Sequence, residues 1–77
     1  MNKKEYQKTH QVVTHLLVKA REDAGYTQKQ VADTKIVSQS ELSKMENGLR
    51  QIDFIILIGL AKFYEKEINY FLPNKTT

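Results

Sequence analysis

Two four-residue segments constrain the fold of this chain more than any other feature: Thr27-Gln28-Lys29-Gln30 and Ser38-Gln39-Ser40-Glu41. Each has the pattern of a capping box. The hydroxyl of the first residue accepts from the backbone N–H three positions on, and the Gln or Glu there reaches back to the cap's own N–H. Each box therefore marks the start of a helix. Val31 and Ala32 supply an inward face for the first of these helices, Leu42 and Met45 for the second, and Asn47-Gly48 ends the second. The pattern predicts two short helices joined by a tight turn.

The flanks read in the same way. Asn2-Lys3-Lys4-Glu5 is a further capping box, followed by Tyr6, Val13, Leu16, Leu17, Ala20 and Ala24 at helical spacings, with Gly25 as a left-handed stop. This predicts a first helix of about six turns, with two polar initial turns expected to fray. Asp53 caps a later helix whose expected inward stripe is Phe54, Leu57, Ile58, Ala61 and Tyr64. A last short helix holds Ile68, Phe71 and Leu72 ahead of Pro73. The expected architecture is all-α, a compact bundle of about five helices. Residues 1–12 are read as an N-terminal extension of the first helix, 13–72 as the domain, and 73–77 as a flexible tail.

Composition removes other classes. Seventy-seven residues hold one core. A chain of that size buries only about 60–65% of its unfolded surface, so it needs efficient packing or a partner. With no cysteine there are neither disulfides nor thiolate metal sites, and a reducing compartment, the cytoplasm, is the expected location. The longest apolar run, Phe54 to Ala61, falls well short of the roughly 20 residues of a membrane span. The start, MNKKEYQKTHQ, lacks a signal peptide's apolar core. Three glycines and one proline are few for a strand-and-turn fold, and a net charge of +3 permits a polyanionic partner without requiring one.

At this point a family likeness emerges. Thr27-Gln28-x-x-Val31-Ala32, followed by Val37-Ser38-x-Ser40-x-Leu42-Ser43-Lys44-Met45-Glu46-Asn47-Gly48, resembles the helix-turn-helix of the XRE/Cro family, which includes the lambdoid phage repressors. The likeness extends through Arg50 and Leu60-Ala61-Lys62 and covers about Val13 to Leu72. It implies a lambda repressor-like fold and sequence-specific binding of double-stranded DNA by a small transcriptional regulator. Residues 38–47 would then lie in the major groove while the preceding helix crosses the phosphate backbone. Carried over, Ser38, Gln39, Ser40 and Lys44 face the bases, and Gln28 matches a phosphate-contacting glutamine. Lys29, Ser43 and Arg50 are further candidates for phosphate. Arg21 and Glu46 match a structural ion pair tying the first helix to the reading helix. The residue chemistry agrees: glutamine can bond adenine bidentately, lysine reaches guanine acceptors, and serine adapts to either.

Two departures affect the geometry. Where the family usually has an apolar residue and then glycine, this chain has Lys35 and Ile36. A β-branched residue resists positive φ, so we expect Ile36 to take the apolar slot and Lys35 to swing into solvent. Glu65 stands near another family glycine, so the fourth helix is expected to run on or to end without a glycine cap.

Catalysis and metal binding find no support. There is no glycine-rich phosphate loop and no clustered acid pair, Glu22 and Asp23 diverge, and His10 and His15 are five residues apart with no carboxylate completing a metal site. No cofactor, no small-molecule ligand and no enzymatic activity are expected. No ligand-binding domain is expected to follow, and any regulation is expected to act through a partner, the dimer equilibrium or abundance. Dimerisation is itself expected: Ile55, Ile56 and Tyr70 are read as a self-complementary interface, with Gly59 admitting another backbone. The competing reading is a helical protein-interaction module, antitoxin-like or an adaptor, with DNA binding secondary or absent. It draws on the single net positive charge of residues 28–51.

Overall fold

In a computed structural model of the chain, residues 1–73 are described. Four α-helices form: α1 Lys3–Ala24, α2 Gln28–Ala32, α3 Gln39–Glu46 and α4 Phe54–Phe63. A 3₁₀ turn, Ile68–Phe71, closes the described chain. The fold is all-α, with one α-helix fewer than five because the last apolar segment winds as a single 3₁₀ turn. The expected tail at 73–77 lies outside the described residues apart from Pro73.

All three capping boxes form. Asn2 and Glu5, Thr27 and Gln30, and Ser38 and Glu41 each exchange the reciprocal side-chain to backbone bonds, at 2.8–3.2 Å. Asp53 caps α4 by accepting from the N–H groups of Ile55 and Ile56. The helix stops also share one design. At Gly25, Gly48 and Glu65 the chain turns left-handed, with φ of 83°, 73° and 59°. At each, the next residue's N–H reaches back to the carbonyl five before it: Tyr26 to Arg21, Leu49 to Lys44, Lys66 to Ala61. Glu65 thus fills a glycine's place without glycine's freedom, and α4 ends there rather than running on.

The core comprises Leu17 and Ala20 of α1, Val31 of α2, Val37, Leu42 and Met45 of the turn and α3, Leu57, Leu60, Ala61 and Tyr64 at α4, and Phe71. α1 is the spine: at about 1.5 Å per residue its 22 residues account for most of the 36 Å long axis. It packs against α3 and the 3₁₀ turn, and α2 packs on α3. The apolar stripes differ at their ends from the sequence expectation. Tyr6, Ala24 and Leu72 are exposed, and α4 is rotated from the predicted face. Phe54 is 61% exposed and Ile58 lies outside the core cluster, while Leu60, absent from the expected stripe, is fully buried.

Candidate nucleic-acid interface

The turn between α2 and α3 is built from Thr34 to Val37. Thr34 Oγ1 donates to the Val31 carbonyl at 2.6 Å and accepts from the Ile36 N–H at 3.3 Å. Lys35 takes the left-handed conformation, φ 69°, and is exposed, whereas Ile36 packs against the core. The left-handed position has moved one residue earlier than the family's glycine would place it. The long, unbranched Lys35 accepts it and the β-branched Ile36 avoids it. Beside Ile36 lies Gly59 of α4, where an added Cβ would stand 3.1 Å from Ile36 Cγ2. Gly59 makes room for Ile36 within the same chain, which replaces the expectation that it admits another backbone.

The turn delivers Ser38 as the cap of α3. From there Gln39, Ser40 and Lys44 stand exposed, while Leu42, Met45 and Glu46 turn inward. The Ser38 hydroxyl oxygen is occupied as a cap acceptor. Ser43 is half-buried, and its carbonyl accepts from the Asn47 amide at 2.9 Å.

Behind this face lies a compact ion cluster. Arg21 Nε and Nη2 donate to the two Glu46 oxygens at 2.8 and 3.0 Å, a bidentate pair, and Arg21 Nη1 donates to the Tyr26 carbonyl at 2.9 Å. The two side chains are only 13% and 4% exposed. Hydrogen bonding to Glu46 raises the Arg21 pKa above its ordinary value, against the opposing effect of burial. Burial, followed by the Glu46 charge, pushes the Tyr64 phenol well above its usual range, so Tyr64 stays neutral. The pair expected from sequence is present, with an added member: Gln28 Nε2 donates to Glu46 Oε1 at 2.9 Å. Gln28, expected on a phosphate, directs that donor inward and ties α2 to α3.

Arg50, expected on a phosphate, also has partners within the chain. Its guanidinium lies 3.1 Å from Glu41 Oε2, and its carbonyl is 3.1 Å from His10 Nε2. The Ser38 N–H first, then Arg50, hold the Glu41 carboxyl below its ordinary pKa. Lys29 lies 3.6 Å from Asp33 on the exposed side of α2. Every acidic side chain between residues 28 and 51 therefore has a basic partner: Asp33 with Lys29, Glu41 with Arg50, Glu46 with Arg21. Lys35 and Lys44 remain exposed with no ion-pair partner among the described residues. The net charge of +1 for residues 28–51 thus understates the face, because Arg21, the partner of Glu46, comes from outside that span.

A helix-turn-helix family model matches residues 17–71, more than two thirds of the chain. The chain belongs to the XRE-type helix-turn-helix family. The HTH-type transcriptional regulator ImmR of Bacillus subtilis (strain 168) is 36% identical over 56 residues, covering 73% of this chain and 44% of that protein. The chain thus spans a little under half the length of that relative. The matched span begins at Leu17, inside α1, so the N-terminal half of α1 lies outside it. Within that part, Val13 and Leu16 pack against the core, and His10 stacks on Tyr6 with ring centroids 6.0 Å apart and bonds the Arg50 carbonyl. A cleft of about 740 Å³ beside it is lined by His10, Thr14, His15 and Glu46, but Glu46 is committed to Arg21. Among the described residues no three His, Cys, Asp or Glu side chains group to hold a metal, and no helix is long and apolar enough to cross a membrane.

Of the three residues expected at a self-association face, Ile55 alone is largely exposed. Ile56 and Tyr70 pack against the core, and Phe71 is fully buried with Tyr70 edge-on to it at 5.0 Å. Ile55, 73% exposed, is joined instead by Phe54. The α4 run is apolar at eight of ten positions, which leaves no periodicity from which to tell inner from outer residues.

Proposed function

We propose that this chain is a transcriptional regulator that binds double-stranded DNA sequence-specifically, with α3 in the major groove. The observation that carries this reading is the state of the α3 face: Gln39, Ser40 and Lys44 are exposed, while the motif's carboxylates are all turned onto basic partners. Hydrogen-bonding groups without an anionic screen suit the edges of base pairs. In this reading Gln39 and Ser40 read bases with Lys44, and Ser38 adds its hydroxyl proton. Lys29, Lys35 and Ser43 meet phosphate. Arg50 joins them if it exchanges Glu41 for a phosphate, and Gln28 does so through the second N–H of its amide. The residues outside 13–72 add no base reading. The site of action is the cytoplasm, on DNA, and the active form is a homodimer with α4 at its centre. Whether the effect is to repress, as in the phage regulators, follows from where the bound site lies relative to a promoter.

The test combines selection of bound duplexes from a random pool with a salt titration. Enrichment of one half-site, together with affinity that falls steeply as salt rises, supports the reading, since each phosphate contact releases counterion. The second reading, a helical protein-interaction module, draws on the exposed Phe54 and Ile55. Flat salt dependence with no enriched sequence would favour it.

A further inference from the structure

We propose that Ile36 and Gly59 form a positioning device for sequence discrimination: the α4 backbone at Gly59 is the seat on which Ile36 rests, and that seat sets where Gln39 and Ser40 meet the bases. The inference deepens the DNA-reading proposal and rests on it. Three observations combine. Ile36 lies two residues before the α3 cap, with only buried Val37 between them, so a displacement of Ile36 has little chain in which to dissipate. On its other side the turn is fixed by Thr34, whose hydroxyl bridges the Val31 carbonyl and the Ile36 N–H. Finally, the contact has no slack: a single methyl at position 59 would stand 3.1 Å from Ile36 Cγ2, closer than carbon atoms sit at rest, with Cγ1 and Cδ1 at 3.9 and 4.0 Å.

Packed interiors pass such a displacement on rather than absorbing it. Relief of the contact would push Ile36 away from α4 and carry the turn and the start of α3 with it. Bidentate bonding to a base edge tolerates only about 0.5 Å of misplacement, whereas phosphate contacts hold without that precision and carry no sequence information. The device should therefore govern the preference for the right sequence over the wrong one while leaving general affinity for duplex in place. Ile36 and Gly59 touch no DNA in this scheme and act through Gln39 and Ser40.

The experiment compares the native chain with Gly59→Ala, Ile36→Ala and the double variant. Gly59→Ala lies within a helix, where alanine is the better helix former, so folding is retained. Two quantities are read: the backbone amide resonances of Ser38, Gln39 and Ser40 without DNA, and the affinity ratio between the selected duplex and a scrambled one. For Gly59→Ala we expect displaced amide resonances at 38–40 and a ratio lowered about tenfold, within the range a lost base contact spans, with affinity for the scrambled duplex within about twofold. In the double variant the new methyl fills space that Ile36 vacates, so its ratio should exceed that of Gly59→Ala. Unmoved resonances at 38–40, or a double variant whose losses simply add, would overturn the device. A native chain with no enriched duplex, but with the 38–40 amide resonances displaced as expected in Gly59→Ala, would instead overturn the DNA-reading proposal, and the discrimination role with it.

Discussion

At the scale of single residues, the ion cluster and the left-handed positions give the sharpest tests of stability. Arg21 satisfies both Glu46 oxygens and the Tyr26 carbonyl at once. Removing one partner of a buried pair leaves an uncompensated charge and costs about 3–5 kcal/mol. Arg21→Met should accordingly lower the melting temperature strongly. Lys19→Met, which loses only an exposed pair with Asp23 at 3.5 Å, should cost about 0–0.5 kcal/mol. Arg21→Met with Glu46→Met should recover only part, because Gln28 and the Tyr26 carbonyl then lose partners too. Glu65→Gly works in the other direction. A side chain at φ 59° carries strain that glycine lacks, so the change should stabilise by about 1 kcal/mol in denaturant unfolding, and an unchanged midpoint would show that the strain is absent. Glu41 adds a pH dependence. Its folded pKa lies below the ordinary 4.5, so its contribution is complete above the unfolded pKa and is lost as pH falls through the folded one. Glu41→Gln should flatten the acid limb of the stability curve below about pH 4.5 and leave the slope near neutrality unchanged.

At the scale of helices, what was legible depended on the kind of signal. Ends were readable because a cap is a local chemical fact: a hydroxyl or Asn, then Glu or Gln three residues on, forms the same box wherever it occurs. The exchange of places between Ile36 and Lys35 was readable because a β-branched residue resists positive φ; that Lys35 itself turns left-handed was not, since nothing local says which residue of the turn takes that conformation. Faces were harder. α4 is so apolar that no stripe stands out, and which side is buried depends on what the 3₁₀ turn and Ile36 of the α2–α3 turn bring against it. The partners that Gln28 and Arg50 meet within the chain were illegible for a related reason. Both have the chemistry to hold phosphate, but their partners, Glu46 and Glu41, lie 18 and 9 residues away, and sequence does not show which of two available acceptors a side chain meets. The reading helix gives the corresponding prediction. Gln39→Ala should cost about 1–3 kcal/mol on the preferred duplex and relax one base position. Gln28→Ala should weaken all duplexes alike and also lower thermal stability, since its inward bond to Glu46 is lost. If Gln39→Ala weakens matched and scrambled duplexes equally, Gln39 does not read a base.

At the scale of the whole molecule, the unresolved balance is between a small core and an exposed apolar surface. Among the described residues eleven apolar side chains are buried, yet Leu49, Phe54 and Ile55 are 75%, 61% and 73% exposed. Isolated apolar side chains at a surface are ordinary. Phe54 and Ile55 differ because they are adjacent, sit at the rigid start of α4 and are fixed there by the Asp53 cap. Pairing α4 with its copy about a two-fold axis would cover both, and a two-fold dimer sets two reading helices about 34 Å apart, one turn of duplex. Because Ile56 and Tyr70 face the core, the variant that tests the pairing is Phe54→Lys with Ile55→Glu, which alters the exposed face and leaves the packed residues alone. Light scattering should give twice the chain mass for the native protein at high micromolar concentration and the single mass for the variant. The variant should keep its helical content and lose affinity for paired half-sites more than for a single half-site. A native chain that remains monomeric under those conditions, or a variant that still pairs, would exclude α4 as the contact.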